Sequence, residues 1–254
     1  MHLEDWSILK ENETLDDLQA NGYKIIQSNN HFKFSIDAVL LSHFTSFKKN
    51  NVIMDMCSGT GVVALLVCAH NDVNRIDCVE IQQELFEMCK RSIKYNNLQN
   101  IITPYNMDLR DSPKSLGYET YDAVLCNPPY LPLSAGKSSL SQEKKIARFE
   151  VFGDLEDIIS ASSKLLKNIG KLILSHRAER LADIINLMRK YNIEPKRCQF
   201  VHSKAEEEAK ILLIEGAKNA KPNMKIEKPL VVYEENGNYS EEIYKIYKMD
   251  KEYE

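Results

Sequence analysis

From about residue 52 to residue 215 the chain alternates short apolar runs with longer stretches whose apolar residues recur every three or four positions. No other feature limits the fold so tightly. Val52–Met56, Arg75–Ile81, Ile101–Met107, Tyr121–Cys126 and Lys171–Ser175 read as strands. Between them, Val62–His70 reads as an apolar helix, and Leu85, Phe86, Cys89 and Ile93 mark the buried stripe of the next. Leu155, Ile158, Ile159, Leu165 and Leu166 mark a further helix, with Gly170 placed to close it. Leu181, Ile184, Ile185 and Met188 follow at i, i+3, i+4, i+7. Strands separated by helices of this length make βαβ units, hence a parallel sheet covered on both faces. Gln199–His202 and Lys210–Glu215, joined by the charged turn at 204–208, add two late strands. The expectation is an α/β fold: a mostly parallel seven-stranded sheet with an antiparallel edge strand and helices on both faces.

Composition narrows the class. The 254 residues are 43% hydrophobic and 28% charged, as in ordinary folded domains, and the net charge is −4. Mild acidity argues against a broad basic face, though not against a local one. The longest apolar run, Val62–Ala69, is too short to cross a bilayer, and Met1–Trp6 lacks the features of a secretory signal, so no membrane association is expected. The six cysteines include no C-x-x-C pair, which suggests reduced thiols and a cytoplasmic location. Six scattered histidines lack ligand spacing, so no metal is expected.

The ends of the strands carry the chemistry, because open parallel sheets bind ligands beyond their carboxyl edge. The first main strand runs into Asp55-Met56-Cys57-Ser58-Gly59-Thr60-Gly61, a glycine turn that opens a helix N-terminus. Glu80 ends the second strand nineteen residues after Gly61, where a carboxylate can accept from ribose hydroxyls. Asp108 ends the third and is placed to accept from an adenine amino group. Each acid also has a plain structural role: Asp55 as a turn former, Glu80 as a helix-start acid, Asp108 as an N-cap. Three acids at successive strand ends favour a nucleotide-type cofactor. Gly59-Thr60-Gly61-Val62-Val63-Ala64 equally satisfies a dinucleotide fingerprint, which keeps a dehydrogenase in view at this point.

Asn127-Pro128-Pro129-Tyr130, directly after the fourth strand, separates these readings. Two prolines end a strand, but Asn and Tyr are not needed for that. An amine conjugated to a ring or carbonyl is a poor nucleophile. The Asn127 side-chain oxygen and the Pro128 carbonyl can hold its two hydrogens on a stiff, preorganised loop. Tyr130 offers a flat face for a flipped base. The nitrogen lone pair is then aligned with a sulfonium methyl, and proximity supplies the acceleration. A dehydrogenase has no use for such a clamp.

With these residues together, the chain resembles the class I S-adenosylmethionine-dependent amino-methyltransferases, and more closely the bacterial tRNA1(Val) adenine N6-methyltransferases. The closer likeness also draws on residues 34–41, on His176-Arg177-Ala178-Glu179-Arg180-Leu181, and on the tail from Glu215-Gly216-Ala217-Lys218 to Gly237-Asn238-Tyr239-Ser240. The family usually has glycine where this chain has Cys57. The resemblance implies a Rossmann-like fold, S-adenosylmethionine as cofactor with S-adenosylhomocysteine as product, and an RNA partner, tRNA above all. It assigns Asp55, Cys57, Ser58, Gly59 and Gly61 to the methionine end of the cofactor, Glu80 and Ile81 to the ribose, and Asp108 and Leu109 to the adenine. Asp37 would close over the amino-acid portion, or simply cap its helix. Asn127, Pro128, Pro129 and Tyr130 would hold the reacting amine and its base, Asn127 also bordering the cofactor.

Substrate contacts are sought in residues 136–149, where Lys137, Lys144, Lys145 and Arg148 face Glu143 alone, and at Arg177 and Arg180. A solvated surface loop is the alternative for the first, ordinary helix charges for the second. The same clamp could serve guanine N2 or a protein glutamine amide. Release-factor glutamine methylators normally carry a helical domain before the cofactor strand, whereas about fifty residues stand there here. A binding module without turnover would show a degraded clamp, and this one is complete. The simplest division is an extension at 1–50 on the cofactor side, a domain at 51–218 and a C-terminal extension of that domain at 219–254.

Overall fold

A computed structural model of the chain describes residues 8–31, 33–44, 46–128 and 153–247. The principal strands are β1 (Glu13–Asp17), β2 (Lys24–Ser28), β3 (Val52–Met56), β4 (Arg75–Glu80), β5 (Ile102–Asn106), β6 (Tyr121–Cys126), β7 (Leu166–Arg177), β8 (Ile193–His202) and β9 (Ala209–Lys218). Two short ones, β10 (Lys225–Ile226) and β11 (Leu230–Val231), lie in the tail. The helices are α1 (Ile36–Phe44), α2 (Val62–His70), α3 (Gln83–Tyr95), α4 (Ser112–Leu116), α5 (Leu155–Leu165), α6 (Leu181–Lys190) and α7 (Glu241–Tyr247).

The main sheet runs β5-β4-β3-β6-β7-β9-β8, with β10 and β11 both pairing with β8. The pairs from β5 across to β7 are parallel, and β9 is antiparallel to both its neighbours. The late strand pair is therefore present, but the antiparallel strand is not at the edge. The turn at 203–208 folds β9 back between β7 and β8, and the outer side of β8 is left for the tail strands, which pair with it in parallel. The seven expected strands are thereby extended to nine.

Alternation along the strands builds two cores. Ile53, Leu125 and Ile173 face α1, α2 and α3, in a layer that also receives Leu18 and Ile25 from the N-terminal hairpin and Leu230 and Ile243 from the tail. Met54, Val124, Leu172 and Leu174 face α5 and α6 on the other side.

Local chemistry explains the departures from the sequence pattern. β1 and β2 form an antiparallel hairpin across Asn21 and Gly22, both at positive φ. It docks on α3, where the buried Ser92 Oγ accepts from Ile26 N–H at 2.9 Å and Arg91 forks onto Glu13 at 2.6 and 2.7 Å. Gly170 does not cap α5. The helix ends at Leu165, the positive φ of 61° belongs to Ile169, and Gly170 lies within β7. A Cβ at Gly170 would sit 2.9 Å from the Lys167 carbonyl oxygen and 3.1 Å from that of Tyr121. Its role is to let backbone approach backbone. Among the described residues no helix is long and apolar enough to cross a membrane.

Candidate active site

Strand β3 delivers the buried Asp55, 1% exposed, to the carboxyl edge of the sheet, and the chain then turns sharply. Cys57, Gly59 and Gly61 all have positive φ, at 59°, 55° and 87°. That region suits glycine, and Cys57 occupies it against the usual preference of a side chain. The turn is tied down from within by Gly61 N–H donating to the Ser58 carbonyl at 2.8 Å. It is tied to β4 by Ser58 N–H donating to the Val79 carbonyl at 3.0 Å. Gly61 then starts α2, and a Cβ there would meet Cys89 Sγ of α3 at 2.6 Å. Glycine is required at this point both by conformation and by helix packing.

Glu80, 6% exposed, braces the turn from β4. Its Oε2 accepts from Gly59 N–H at 2.9 Å and its Oε1 from Gln82 N–H at 2.8 Å. Each carboxylate oxygen keeps a further lone pair. Burial raises the Glu80 carboxyl above its ordinary range against these bonds. Asn106 holds the same strand end, its Nδ2 donating to the carbonyls of Glu80 at 2.9 Å and Ile81 at 3.1 Å. An Asn ending the neighbouring strand was a signal in the sequence that went unread.

Asp108 caps the short turn at Leu109–Asp111, its Oδ1 accepting from Arg110 N–H at 2.8 Å, and the Arg110 guanidinium forks onto both its oxygens. That pairing holds the Asp108 carboxyl below the usual range. Leu109 beside it is buried. Asp37, in the first turn of α1, is raised by burial despite a hydrogen bond with Ser35.

β6 brings the clamp to the same edge. Met56 pairs with Cys126, so half-buried Asn127 and buried Pro128 leave the sheet beside the turn that starts at Cys57. Pro129, Tyr130, Lys137, Lys144, Lys145 and Arg148 lie outside the described residues. Arg177 ends β7 rather than starting a helix, with Nε 3.0 Å from Glu179, and Arg180 ends the following short turn, 2.6 Å from Asp183. Both cations thus have carboxylate partners. His176, at the same strand end, entered the sequence reading as the first residue of the motif at 176–181 and was given no role. Its Nδ1 accepts from Arg177 N–H at 2.9 Å, and burial pushes the ring down to about 4, so it is neutral at physiological pH.

Two buried polar atoms of the turn, Asp55 Oδ1 and Ser58 Oγ, have no hydrogen-bond partner among the described residues. Asp55 Oδ2 accepts from Ala64 N–H at 3.2 Å, yet burial, with the Glu80 charge adding to it, pushes the carboxyl up to about 7. A Cβ built on Gly59 would meet nothing within 4 Å. Buried polar atoms are nearly always paired. An unpaired carboxylate oxygen, a hydroxyl and open backbone together fit a ligand that brings a cation and hydrogen-bonding groups, as S-adenosylmethionine does. Among the described residues no cluster of three His, Cys, Asp or Glu could hold a metal ion. A separate cavity of about 380 Å³ lies around the C-terminal end of α2, lined by Cys68, His70 and Asp72 among others, and contains none of these residues.

Known proteins resemble the chain in sequence and in fold. The tRNA1(Val) (adenine(37)-N6)-methyltransferase of Flavobacterium psychrophilum is 25% identical over 200 residues, 78% of this chain and 83% of its own length. The protein of that name from Parabacteroides distasonis is 28% identical over 212 residues, 83% of this chain and 86% of its own. Among solved structures, a predicted O-methyltransferase from Agrobacterium tumefaciens superposes with a TM-score of 0.68 at 20% identity, covering 84% of this chain and 95% of its own. Pyrococcus horikoshii TYW2 in complex with MeSAdo gives 0.59 at 15%, covering 83% and 73%. These likenesses fix the Rossmann-like methyltransferase fold. Residues 28–191, more than half of the chain, match the methyltransferase small domain, and the chain belongs to that family of S-adenosylmethionine-dependent methyltransferases.

Proposed function

We propose that this methyltransferase transfers its methyl group to an exocyclic amine, namely adenine N6 of a tRNA near the anticodon. The observation that carries the reading is the meeting of two structures at one sheet edge: the glycine turn after β3 and Asn127-Pro128 after β6, on adjacent parallel strands. S-adenosylmethionine supplies, when bound, an electrophilic methyl on a cationic sulfur. Asp55, Cys57, Ser58, Gly59 and Gly61 shape the methionine end, and Asp55 meets its ammonium as a carboxylate. Glu80, beside Ile81, receives ribose hydroxyls on its remaining lone pairs, Asp108 and Leu109 border the adenine, and Asp37 closes over the amino-acid portion.

Asn127 Oδ1 and the Pro128 carbonyl accept the two hydrogens of the target amine and turn its lone pair toward the methyl. Both are strong acceptors, and Pro128 brings no competing N–H. Held this way, nucleophile and electrophile need no further ordering before reaction. Pro129 stiffens the corner and Tyr130 stacks on the base. Lys137, Lys144, Lys145 and Arg148, with Arg177 once released from Glu179, meet backbone phosphates. The names of the relatives support adenine and tRNA over the other substrates that such a clamp admits.

The test is incubation with isotopically labelled S-adenosylmethionine and unmodified total tRNA, followed by nucleoside mass spectrometry. Label in N6-methyladenosine supports the proposal. Label in N2-methylguanosine, or in protein when a cell extract is supplied, overturns the choice of substrate.

A further inference from the structure

Two cysteines sit at the junction of the site, and neither thiol reacts in the chemistry above. Cys57 opens the glycine turn, and Cys126 is the last residue of β6, immediately before Asn127. Met56 pairs with Cys126 across parallel strands. Strands lie about 4.8 Å apart and advance about 3.3 Å per residue, so the two Cα atoms are roughly 5.8 Å apart. That falls within the span of about 4.4–6.8 Å that a disulfide bridges. Direction agrees as well as distance. Cys126 belongs to the core layer that faces α5 and α6, and Cys57 packs against that same layer. The Cys57 thiol lies close enough to Cys126 to raise it above its ordinary range. Cys57 is half-exposed whereas Cys126 is fully buried, so one member can be reached from outside. Cys89 likewise raises Cys78, but both are buried and neither can be reached in this way.

We infer that Cys57 and Cys126 form an oxidisable dithiol site whose co-reactant is a hydroperoxide and whose product is a disulfide across the cofactor turn and the amine clamp. The chemistry runs in two steps. The Cys57 sulfur attacks the terminal oxygen of the peroxide, the O–O bond breaks, and Cys57 sulfenic acid forms with release of an alcohol, or of water from hydrogen peroxide. The Cys126 sulfur then attacks the Cys57 sulfur, the S–O bond breaks, and water leaves with the thiol proton. Two thiols lose two electrons and two protons, and the peroxide takes them up. Burial and the Cys57 thiol hold Cys126 above its ordinary range, with Asp55 and Glu80 adding to it. The order of steps therefore puts Cys57 first.

The consequence is mechanical. Closing the thiols to an S–S bond of about 2.05 Å fixes the two side chains in one rotamer pair across the strand ends. Ser58 and Gly59 follow Cys57 directly and Asn127 follows Cys126, so the bond locks the cofactor turn to the clamp.

The folded protein is treated with hydrogen peroxide, alkylated, digested and mapped by mass spectrometry, and S-adenosylmethionine binding is measured on the same sample by calorimetry. We expect a linked Cys57–Cys126 peptide and a cofactor Kd raised at least about tenfold, both reversed by dithiothreitol. Neither readout depends on which amine is the substrate. Cys126→Ala is expected to bind cofactor normally when reduced and to yield a dimedone adduct on Cys57 in place of the linked peptide. Absence of the linked peptide from folded wild-type protein, or an unchanged Kd in the oxidised sample, overturns the inference, and neither result depends on the variant folding.

Discussion

Replacing Asp55 with asparagine isolates the free energy stored in one buried charge. The Asp55 carboxyl is 1% exposed and is pushed from an ordinary 3.8 up to about 7, mainly by burial. Between those two values the folded chain holds a proton that the unfolded chain has released. Wild-type stability therefore falls as pH rises through that window. At about 1.36 kcal/mol per pH unit, the interval from pH 5 to pH 7 is worth about 3 kcal/mol. Asparagine keeps an oxygen to accept from Ala64 N–H, whose bond to Asp55 Oδ2 measures 3.2 Å, but it cannot ionise. Urea unfolding of both proteins at pH 5 and pH 8 should show the stability difference moving by about 3 kcal/mol in favour of Asp55→Asn at the higher pH. Saturating S-adenosylmethionine should reverse the advantage, because its ammonium offsets the carboxylate charge in the wild type alone. Parallel pH dependences for the two proteins would refute the assignment of a buried, titrating carboxyl at this strand end.

Other substitutions probe other parts of the site. Asn127→Ala should lower kcat by about 100- to 1000-fold, the usual cost of a lost preorganised acceptor or donor, while calorimetry shows cofactor affinity nearly unchanged. Full activity in this variant would remove the clamp from the mechanism. Glu80→Ala should weaken cofactor binding by about 1.5–3 kcal/mol, the range for hydrogen bonds to a charged group, and equal affinities would take Glu80 away from the ribose. Gly61→Ala combines φ of 87° with a contact of 2.6 Å to Cys89 Sγ, so thermal unfolding should report a loss of about 2–4 kcal/mol. An unchanged Tm would mean that α2 and α3 are not packed as described.

The helix α2 was legible to the residue because Val62–His70 is a nearly continuous apolar stretch bounded by Gly61 and Asn71. The three acids at the carboxyl edge were legible because each lies at a strand end or within two residues of one. The hairpin was not read from the sequence: Glu13–Asp17 carries a single apolar residue, Leu15, and the Asn21-Gly22 turn was passed over. The assignment of Gly170 as a helix cap followed from residue type, whereas Ile169 takes the left-handed conformation and the glycine serves a close approach that only the fold creates. Side-chain pairing at the site was the least accessible part. Arg110 on Asp108, and Gly59 and Gln82 on Glu80, depend on how the turns close and leave no periodic trace in the chain.

The inward position of β9 has a bearing on how far a polyanion can extend along the sheet edge. The edge past β3, β4 and β7 leads into helices, whose first amides attract negative charge. Past β8 the chain instead doubles back through the exposed turn at 203–208, which carries Glu206, Glu207 and Glu208 against Lys204. Among the described residues no helix starts at that acidic rim, so on the proposed function a phosphate backbone lying over the clamp would be drawn toward the β7 end and repelled beyond it. The footprint of the proposed nucleic-acid substrate would thus have a built-in boundary, set by the direction of a single strand.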